Sequence, residues 1–363
     1  MSRIAFYSFY ILYAVALVYL AITLPIGPNE AFVYYSTDDI VLKFLTHITN
    51  SWFESGLSFR FPFVLFGLIN IYLFYIMSKS YFKKEEESYF ATMIFALLPG
   101  IITASVIVNI AVVIVTLVLL FLIVYQEEKL LWVSIVIMAL LLFIHDASII
   151  FFIGLSLFAL SKKDRTLFIF SLLFTIVSLL YFNKLDIGGH PSGEFLELIG
   201  LYLALFSPFV FIYFFYALYR IWFREKKDIL WYISFTAFIF SILLSLRQQV
   251  IMTDFAPYVI VAVVLMILVY QRTVQVRLPQ FQKNYKLGLK IVVASLFLTT
   301  FIIVFHQLFF SLIEDKSKHF AYPFYQPYWQ MKELREIGEN CYTVKNQKRQ
   351  YQLKYYGIEA CKE

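Results

Sequence analysis

Several acidic, basic and imidazole side chains of this sequence lie between long apolar stretches. An ionisable group beside a hydrocarbon phase is costly to keep, so such residues are functional candidates. Three of them are the carboxylates Glu30, Asp38 and Asp39, which share one connecting segment. A carboxylate in such a position can act as general base toward a hydroxyl group, or can hold a divalent cation that binds a phosphate.

The two aspartates also have a structural explanation. Asp38 and Asp39 directly precede an amphipathic stretch, and acids at a helix start bond free N–H groups and complement the helix dipole. Glu30 follows a Pro-Asn pair ahead of an aromatic run and lacks this explanation. Catalysis and helix capping therefore both remain open for the aspartates, and Glu30 is the first candidate base.

Two further polar groups occur at the ends of apolar runs. His145 and Asp146 are adjacent, and they could form a base with its orienting carboxylate, metal ligands or a polar turn. Arg247 precedes two glutamines and offers a planar fork that suits a lipid phosphate. A salt bridge between Arg247 and Asp254, seven residues later, is the alternative.

A glycine-rich connection at 183–195 contains two weaker candidates. His190 and Lys184 lie there and are possible sugar or phosphate contacts. The chain has five histidines and two cysteines, spread along its length, so no dedicated metal site is expected. No cofactor is predicted beyond the possible divalent cation.

The elements that position these residues are predicted to be membrane helices. The chain of 363 residues is 61% hydrophobic, 20% aromatic and only 15% charged, whereas ordinary globular domains are about a quarter charged. The apolar residues form blocks of the length that a bilayer core requires of a helix. Because backbone groups in hydrocarbon must bond internally, the sequence predicts an all-α polytopic membrane protein.

About eleven transmembrane helices are predicted from these blocks. They are 4–24, 59–79, 89–107, 109–126, 130–145, 147–161, 166–182, 196–220, 229–246, 254–271 and 290–311.

Lysine and arginine collect in alternate connections between the predicted spans, and this sets the orientation. These residues are Lys79, Lys83 and Lys84; Lys129; Lys162, Lys163 and Arg165; Arg220, Arg224, Lys226 and Lys227; and Arg272, Arg277, Lys283, Lys286 and Lys290. Cytoplasmic connections carry such an excess, so the N-terminus is predicted inside and, with an odd number of spans, the C-terminus outside. The net charge of +6 then has a topological cause, and no nucleic-acid partner is expected.

Two domains are predicted, a transmembrane domain at 1–311 and a small outer segment at 312–363. The first outer loop, 25–58, contains apolar residues at helical spacing from Val41 to Trp52. A short helix of this kind would lie in the membrane interface.

The tail is predicted to be a small ordered α/β unit. Residues 328–339 suit a helix, and residues 350–356 alternate in the period-2 manner of a strand. Cys341 and Cys361 bracket that strand. In an oxidising compartment outside the membrane they could form a disulfide, the alternative being two free thiols.

Four stretches, in this order, resemble the GT-C superfamily of membrane glycosyltransferases, in particular the protein O-mannosyltransferases and lipid A aminoarabinose transferases. The stretches are GPNEAFVYY, FRFPFVLFGLINIYLFYIMSKSYF, FALLPGIITASVIVN and SLRQQVIMTDFAPYVIVA. The resemblance covers roughly residues 1–270. It implies an active site at the outer leaflet and a location in the bacterial inner (plasma) membrane.

The resemblance also implies an activity. A sugar would move with inversion from a polyprenyl-phosphate carrier to an extracytoplasmic acceptor, which is a glycan, a lipid or a protein. Glu30 would be the retained half of the family's acidic pair, and Arg247 would contact the phosphate. The expected partners are therefore the polyprenyl-phosphate-linked sugar, membrane lipids and the acceptor.

The sequence departs from the family at two positions. Asn29 stands where the first acid of the pair is expected, and Asn109 stands where a second outer acid is expected. An amide does not accept a proton at neutral pH, so the base role would pass to Glu30, Asp38 or Asp39. Two alternatives follow, a non-catalytic subunit that binds a partner or a lipid-linked sugar, and a transporter of lipid-linked sugars.

Overall fold

The computed structural model describes residues 2–50, 52, 56–127, 131–182 and 194–361. This part of the chain is helical and contains no β-strand, only an isolated parallel β-bridge between Cys341 and Glu359. The all-α class predicted from the apolar blocks is confirmed for the described residues.

The helices of the first half follow the apolar blocks closely. They are α1 Arg3–Thr23, α2 Pro28–Ser36, α3 Ile40–Ile48, α4 Leu57–Ser78, α5 Glu85–Ala96, α6 Pro99–Val106, α7 Ala111–Gln126, α8 Leu131–Ile144, α9 Ser148–Lys162 and α10 Arg165–Phe182.

The second half continues in the same manner and ends in shorter helices. They are α11 Phe195–Phe206, α12 Pro208–Arg224, α13 Ile229–Ser245, α14 Met252–Ile260, α15 Val263–Val276, α16 Pro279–Val304, α17 His306–Phe309, α18 Tyr322–Ile337 and α19 Gln347–Tyr355, with a 3₁₀ turn at Lys316–Lys318 before α18.

Within the described residues, four helical segments are long and apolar enough to cross a membrane. They are α1, α4, the segment Met252–Val276 and α16. Two bent pairs, α5 with α6 and α11 with α12, raise the number to six if each pair is one span. Each predicted span overlaps one of these segments, a bent pair or one of the shorter apolar helices α7, α8, α9, α10 and α13. The number eleven stays a prediction.

Proline begins the second helix of each bent pair. Pro99 starts α6 at a bend of 64°, and Pro208 starts α12 at a bend of 105°. Proline is favoured in the first turn because it lacks the N–H that would be unpaired there. Ser207, just before the sharper bend, has a φ of 72°, a conformation that few non-glycine residues adopt.

The chain forms two compact units. Unit 1 comprises Met1–Phe9, Ile69–Ile101 and Ile110–Thr299, and unit 2 comprises Tyr10–Leu68, Ile102–Asn109 and Thr300–Glu363. The predicted outer segment 312–363 lies within unit 2, together with most of the first outer loop.

Close helix packing stabilises unit 1. Gly154 of α9 faces the backbone of α13, where an added Cβ would lie 3.0 Å from Cα of Ile233. The Asn70 amide donates to the carbonyl of Val112 at 2.8 Å and accepts from the Thr116 hydroxyl at 2.7 Å. Small residues that let helices approach, joined by buried polar contacts, are characteristic of membrane helix pairs.

The loop at 25–58, predicted to be the first outer loop, contains the amphipathic helix that its spacing predicts. Helix α3 exposes Ile40, Phe44 and Ile48, which are spaced four residues apart on one face. Asp39 caps the helix, because its Oδ1 accepts from the backbone N–H groups of Val41 and Leu42 at 2.9 and 3.0 Å. The location of this face in a membrane interface stays a prediction.

The predicted strand at 350–356 is wrong, so the tail is helical and not α/β. Helix α19 covers most of these residues, and Asn346 caps it by accepting from the N–H groups of Lys348 and Arg349. The alternating residues lie on a helix because Leu353 is fully buried against Met331 of α18. Cys341 and Cys361 form a disulfide with an S–S distance of 2.13 Å.

Replacing Gly154 with valine tests the packing of α9 against α13. We expect the variant to be less stable by about 1–3 kcal/mol, because the added carbons meet backbone that has little room to move. Thermal unfolding of the purified protein in detergent measures the loss. Gly200→Val is the matched control, since a Cβ at Gly200 meets nothing within 4 Å. Equal melting temperatures for the two variants would contradict the packing.

Candidate functional site

A buried ion pair lies at the centre of unit 2. Arg60 in the second turn of α4 bonds the carboxylate of Glu30 through two nitrogens, Nε to Oε1 at 2.9 Å and Nη2 to Oε2 at 2.5 Å. The same carboxylate accepts from the backbone N–H of Gly27 at 2.7 Å and of Val108 at 3.1 Å. Both charged side chains are at most 1% exposed.

The guanidinium of Arg60 uses each of its five N–H donors. Besides Glu30, it donates to the carbonyl oxygens of Ala21 at 3.1 Å, Leu24 at 2.5 Å and Pro25 at 2.9 Å. Ala21 lies in the last turn of α1, where a helix leaves carbonyls without intrahelical partners, and Leu24 and Pro25 directly follow the helix. Arg60 therefore joins α4 both to the end of α1 and, through Glu30, to the start of α2.

This geometry gives Glu30 a place in the scaffold, and its role as catalytic base stays a prediction. A general base must come within hydrogen-bond reach of the proton it removes. The Glu30 carboxylate is buried and already accepts four hydrogen bonds, so it has a structural role. Its apolar surroundings make the pair with Arg60 essential, because an unpaired buried charge is strongly destabilising.

Of the neighbouring acids and amides, one caps a helix and two are exposed. Asp39 caps α3, which is the structural alternative that the sequence left open. Asp38 is exposed in the turn between α2 and α3. Asn29 is also exposed, and its side-chain oxygen accepts from Nζ of Lys348 in α19 at 2.8 Å.

Three predicted site residues lie in unit 1. His145 is buried, with Nδ1 3.2 Å from the hydroxyl of Tyr258 and Nε2 3.5 Å from Oδ1 of Asp254. Asp146 and Arg247 are exposed. The structure thus gives His145 a carboxylate partner on α14, not its sequence neighbour.

Two predicted contacts, Lys184 and His190, lie outside the described residues. Among the described residues, no group of three or more His, Cys, Asp or Glu side chains is arranged to hold a metal ion.

Unit 2 also contains an open cleft of about 500 Å³, here called the aromatic cleft. Seven of its lining residues are aromatic. The lining residues are Ile22, Thr23, Leu24, Pro25, Ile26, Gly56, Phe59, Gln307, Phe310, Tyr325, Tyr328, Trp329, Tyr355 and Tyr356.

The buried ion pair and the tail together hold one wall of the aromatic cleft. Arg60 binds the carbonyls of Leu24 and Pro25. The next residue, Ile26, donates its N–H to the hydroxyl of Tyr356 at 3.1 Å and accepts from the amide of Gln352 at 2.7 Å. The wall is therefore fixed from α4 on one side and from α19 on the other.

The opposite wall belongs to α18. Trp329 lies 5.7 Å from the ring of Tyr325 and 5.2 Å from that of Phe310, measured between centroids. Helix α18 is held to α19 and the residues after it by an apolar cluster of Met331, Leu334, Leu353 and Ile358.

The polar groups of the aromatic cleft are neutral hydroxyls and an amide. The Tyr325 hydroxyl accepts from Nε2 of Gln307 at 2.9 Å and lies 2.9 Å from Nε2 of His306. Burial raises the pKa of Tyr325 to about 12, and burial also raises the pKa of Tyr355 and of Tyr356. These phenols stay protonated at neutral pH and therefore donate and accept hydrogen bonds without acting as bases.

No carboxylate is present among the described residues that line the aromatic cleft. Large apolar faces with a few convergent polar groups are typical of ligand sites, whose volumes run from roughly 300 to 1,000 Å³. The arrangement suits binding better than proton transfer.

Sequence reasoning did not single out Arg60 or Trp329. A signal for Arg60 was present, because the run FRFPF puts a cation inside an apolar block and such a charge needs a partner. Trp329 gave no comparable signal, since aromatic residues are common throughout this chain.

Comparisons with protein-family models, with curated proteins and with solved structures found no match to this chain.

A double-mutant cycle tests the structural role of the ion pair. Glu30→Gln and Arg60→Met should each lower the free energy of unfolding by about 3–5 kcal/mol, because each leaves a buried charge without its partner. The double variant should lose clearly less than the sum of the two. Chemical unfolding in mild detergent gives the three values. Additive losses would show that the two side chains do not interact.

Proposed function

We propose that this chain is a polytopic membrane protein that binds a lipid-linked saccharide on its extracytoplasmic side, with the aromatic cleft as the binding site. The observation that carries the proposal is a cleft lined by seven aromatic rings and neutral hydroxyls, with no carboxylate among its described lining residues. The proposal keeps the GT-C-like arrangement implied by the sequence resemblance and assigns binding, not proton transfer, to the outer site.

A saccharide fits the chemistry of this cleft. The face of an aromatic ring carries negative charge, and the C–H face of a sugar ring carries the complementary partial positive charge. Sugar hydroxyls both donate and accept, as do the hydroxyls of Tyr325, Tyr328 and Tyr355 around the cleft. The apolar residues Ile22 and Phe310 would contact the first isoprene units of the carrier.

The proposed arrangement has eleven membrane spans. They are the four long segments, the two bent pairs and the five shorter apolar helices, each overlapping a block predicted from the sequence. The lysine and arginine distribution puts the tail outside the membrane. The disulfide between Cys341 and Cys361 supports the same orientation, because such bonds persist in oxidising compartments.

A second candidate function is the transfer of the sugar to an extracytoplasmic acceptor. One observation favours it: Asp38 is an exposed carboxylate of the first outer loop, in the turn between α2 and α3. With Glu30 bonded to Arg60 and Asp39 capping α3, Asp38 is the remaining predicted base of that loop.

The binding proposal predicts the effect of removing the indole of Trp329. Trp329→Ala should weaken binding of polyprenyl-phosphate mannose by about tenfold or more, because one aromatic platform is lost. Microscale thermophoresis of the detergent-solubilised protein measures the affinity. Trp132→Ala is the matched control, since Trp132 lies in unit 1 and is 66% exposed. Equal affinity for both variants and wild type would refute the cleft as the site.

The transferase candidate predicts that Asp38→Asn abolishes sugar transfer while affinity for the same carrier-linked sugar is retained. A base acts in the chemical step, so its loss lowers kcat without removing ground-state binding. The assay uses proteoliposomes that are supplied with a membrane extract as the source of acceptor. Sugar transfer is measured as the amount of polyprenyl phosphate released. Undiminished release of polyprenyl phosphate by the variant would eliminate Asp38 as base. If wild type binds the carrier-linked sugar but releases no polyprenyl phosphate, the transferase candidate fails and the binding proposal stands.

A further inference from the structure

Helices α12, α15 and α16 of unit 1 enclose a second, mainly apolar groove of about 480 Å³. It is here called the α12–α16 groove. Its lining residues are Phe209, Ile212, Tyr213, Met266, Tyr270, Asn284, Tyr285, Gly288, Leu289, Ile291 and Val292.

One buried polar atom in the groove has no hydrogen-bond partner among the residues that the structure describes. The hydroxyl of Tyr213 is buried and makes no hydrogen bond with any of the described residues. The neighbouring rings of Tyr216 and Tyr270 lie 5.7 and 6.3 Å from the Tyr213 ring, between centroids. A buried hydroxyl without a partner is costly, so an oxygen from a bound molecule would remove the penalty.

A positive charge lies beside the same groove. The guanidinium of Arg277 lies 4.1 Å above the ring of the lining residue Tyr285, and none of the described acceptors bonds it. Arg220 of α12 and Arg272 of α15 share one carboxylate, Glu225, at 3.4 and 2.5 Å, and Arg220 also donates to the hydroxyl of Thr273. Arg277 is therefore the arginine of this group that no acid of the described residues neutralises, and the groove beside it is complementary to an anion.

Helix α16 offers the rest of the groove to a hydrocarbon chain. Of its 26 residues only Leu296 is buried, and its apolar side chains Leu287, Ile291 and Leu298 are exposed. A Cβ added at Gly288 would meet nothing within 4 Å. The space beside Gly288 is thus open to an occupant.

We propose that the α12–α16 groove is a binding site for an anionic glycerophospholipid of the bilayer. One acyl chain lies along Ile212, Met266 and Leu289, and the phosphate lies at Arg277. An ester oxygen of the lipid accepts from the Tyr213 hydroxyl. Basic pockets between membrane helices bind anionic headgroups in this way, and the lysines and arginines around the groove belong to connections that the sequence predicts to be cytoplasmic.

The site is independent of the aromatic cleft, because all of its residues belong to unit 1. It requires only that the chain resides in a membrane. Failure of saccharide binding would leave the lipid site intact, and failure of lipid binding would leave the proposed function intact.

The experiment uses the full chain, delipidated in detergent and titrated with phosphatidylglycerol or phosphatidylcholine, with bound lipid counted by native mass spectrometry. Wild type should retain phosphatidylglycerol in preference to phosphatidylcholine. Gly288→Phe should lose it, because the ring fills the open space in the groove. Gly200→Phe is the control, with the same substitution at a helical glycine that also meets open space.

A second pair of variants tests the phosphate contact. Arg277→Gln should weaken phosphatidylglycerol binding by about tenfold, the factor expected for one charge-assisted hydrogen bond, and should leave phosphatidylcholine binding unchanged. Lys226→Gln removes one exposed cation from the α12–α13 connection, outside the groove lining, and should have little effect.

Three results would overturn the proposal. They are equal retention of both lipids by wild type, equal phosphatidylglycerol binding by Gly288→Phe and Gly200→Phe, and retention of polyprenyl phosphate in preference to phosphatidylglycerol when the delipidated protein is offered both. The last result would assign the groove to the carrier lipid.

Discussion

The ion pair of Glu30 and Arg60 is the interaction on which unit 2 depends. Two charges removed from water are tolerated only when every hydrogen-bonding position is used, and here the arginine uses five donors while the carboxylate accepts four times. Those bonds reach the end of α1, the start of α2 and the backbone at Val108. The wall of the aromatic cleft at Leu24 and Pro25 exists because this pair holds it.

The sequence predicts the helices well and the contacts among them poorly. An apolar block long enough to span a bilayer has one regular structure available to it, so segments such as Arg3–Thr23 and Leu57–Ser78 appear where the composition puts them. The tail lacks this constraint. Its short run at 350–356 suits a strand by alternation, and the Asn346 cap together with the burial of Leu353 makes it a helix.

The candidate site was harder to predict because its decisive contacts join distant residues. Glu30 looks like a free acid in its local sequence, and only its partner 30 residues later shows that it is buried. The capping role of Asp39 was easier to predict, because a helix cap depends only on neighbouring residues in the sequence. The aromatic cleft is lined by residues that lie far apart in the sequence, such as Ile22, Phe59 and Trp329. No spacing rule would have grouped them.

Glu30, the acid that the sequence resemblance to the GT-C superfamily singles out, lies in the scaffold of unit 2 in this structure. The aromatic cleft of the same unit offers rings and hydroxyls to a ligand. Under the proposed function, this cleft would recognise a carrier-linked sugar without breaking its bond to phosphate. In the transferase candidate, the exposed Asp38 is the residue proposed as base.

The most direct test of this account is a cryo-electron microscopy structure of the protein in lipid nanodiscs with polyprenyl-phosphate mannose. The account predicts that the sugar contacts the ring faces of Trp329 and Tyr355 in the aromatic cleft, with Glu30 still bonded to Arg60. A sugar bound outside the cleft, or a Glu30 carboxylate released from Arg60 and within hydrogen-bond distance of an acceptor hydroxyl, would contradict it.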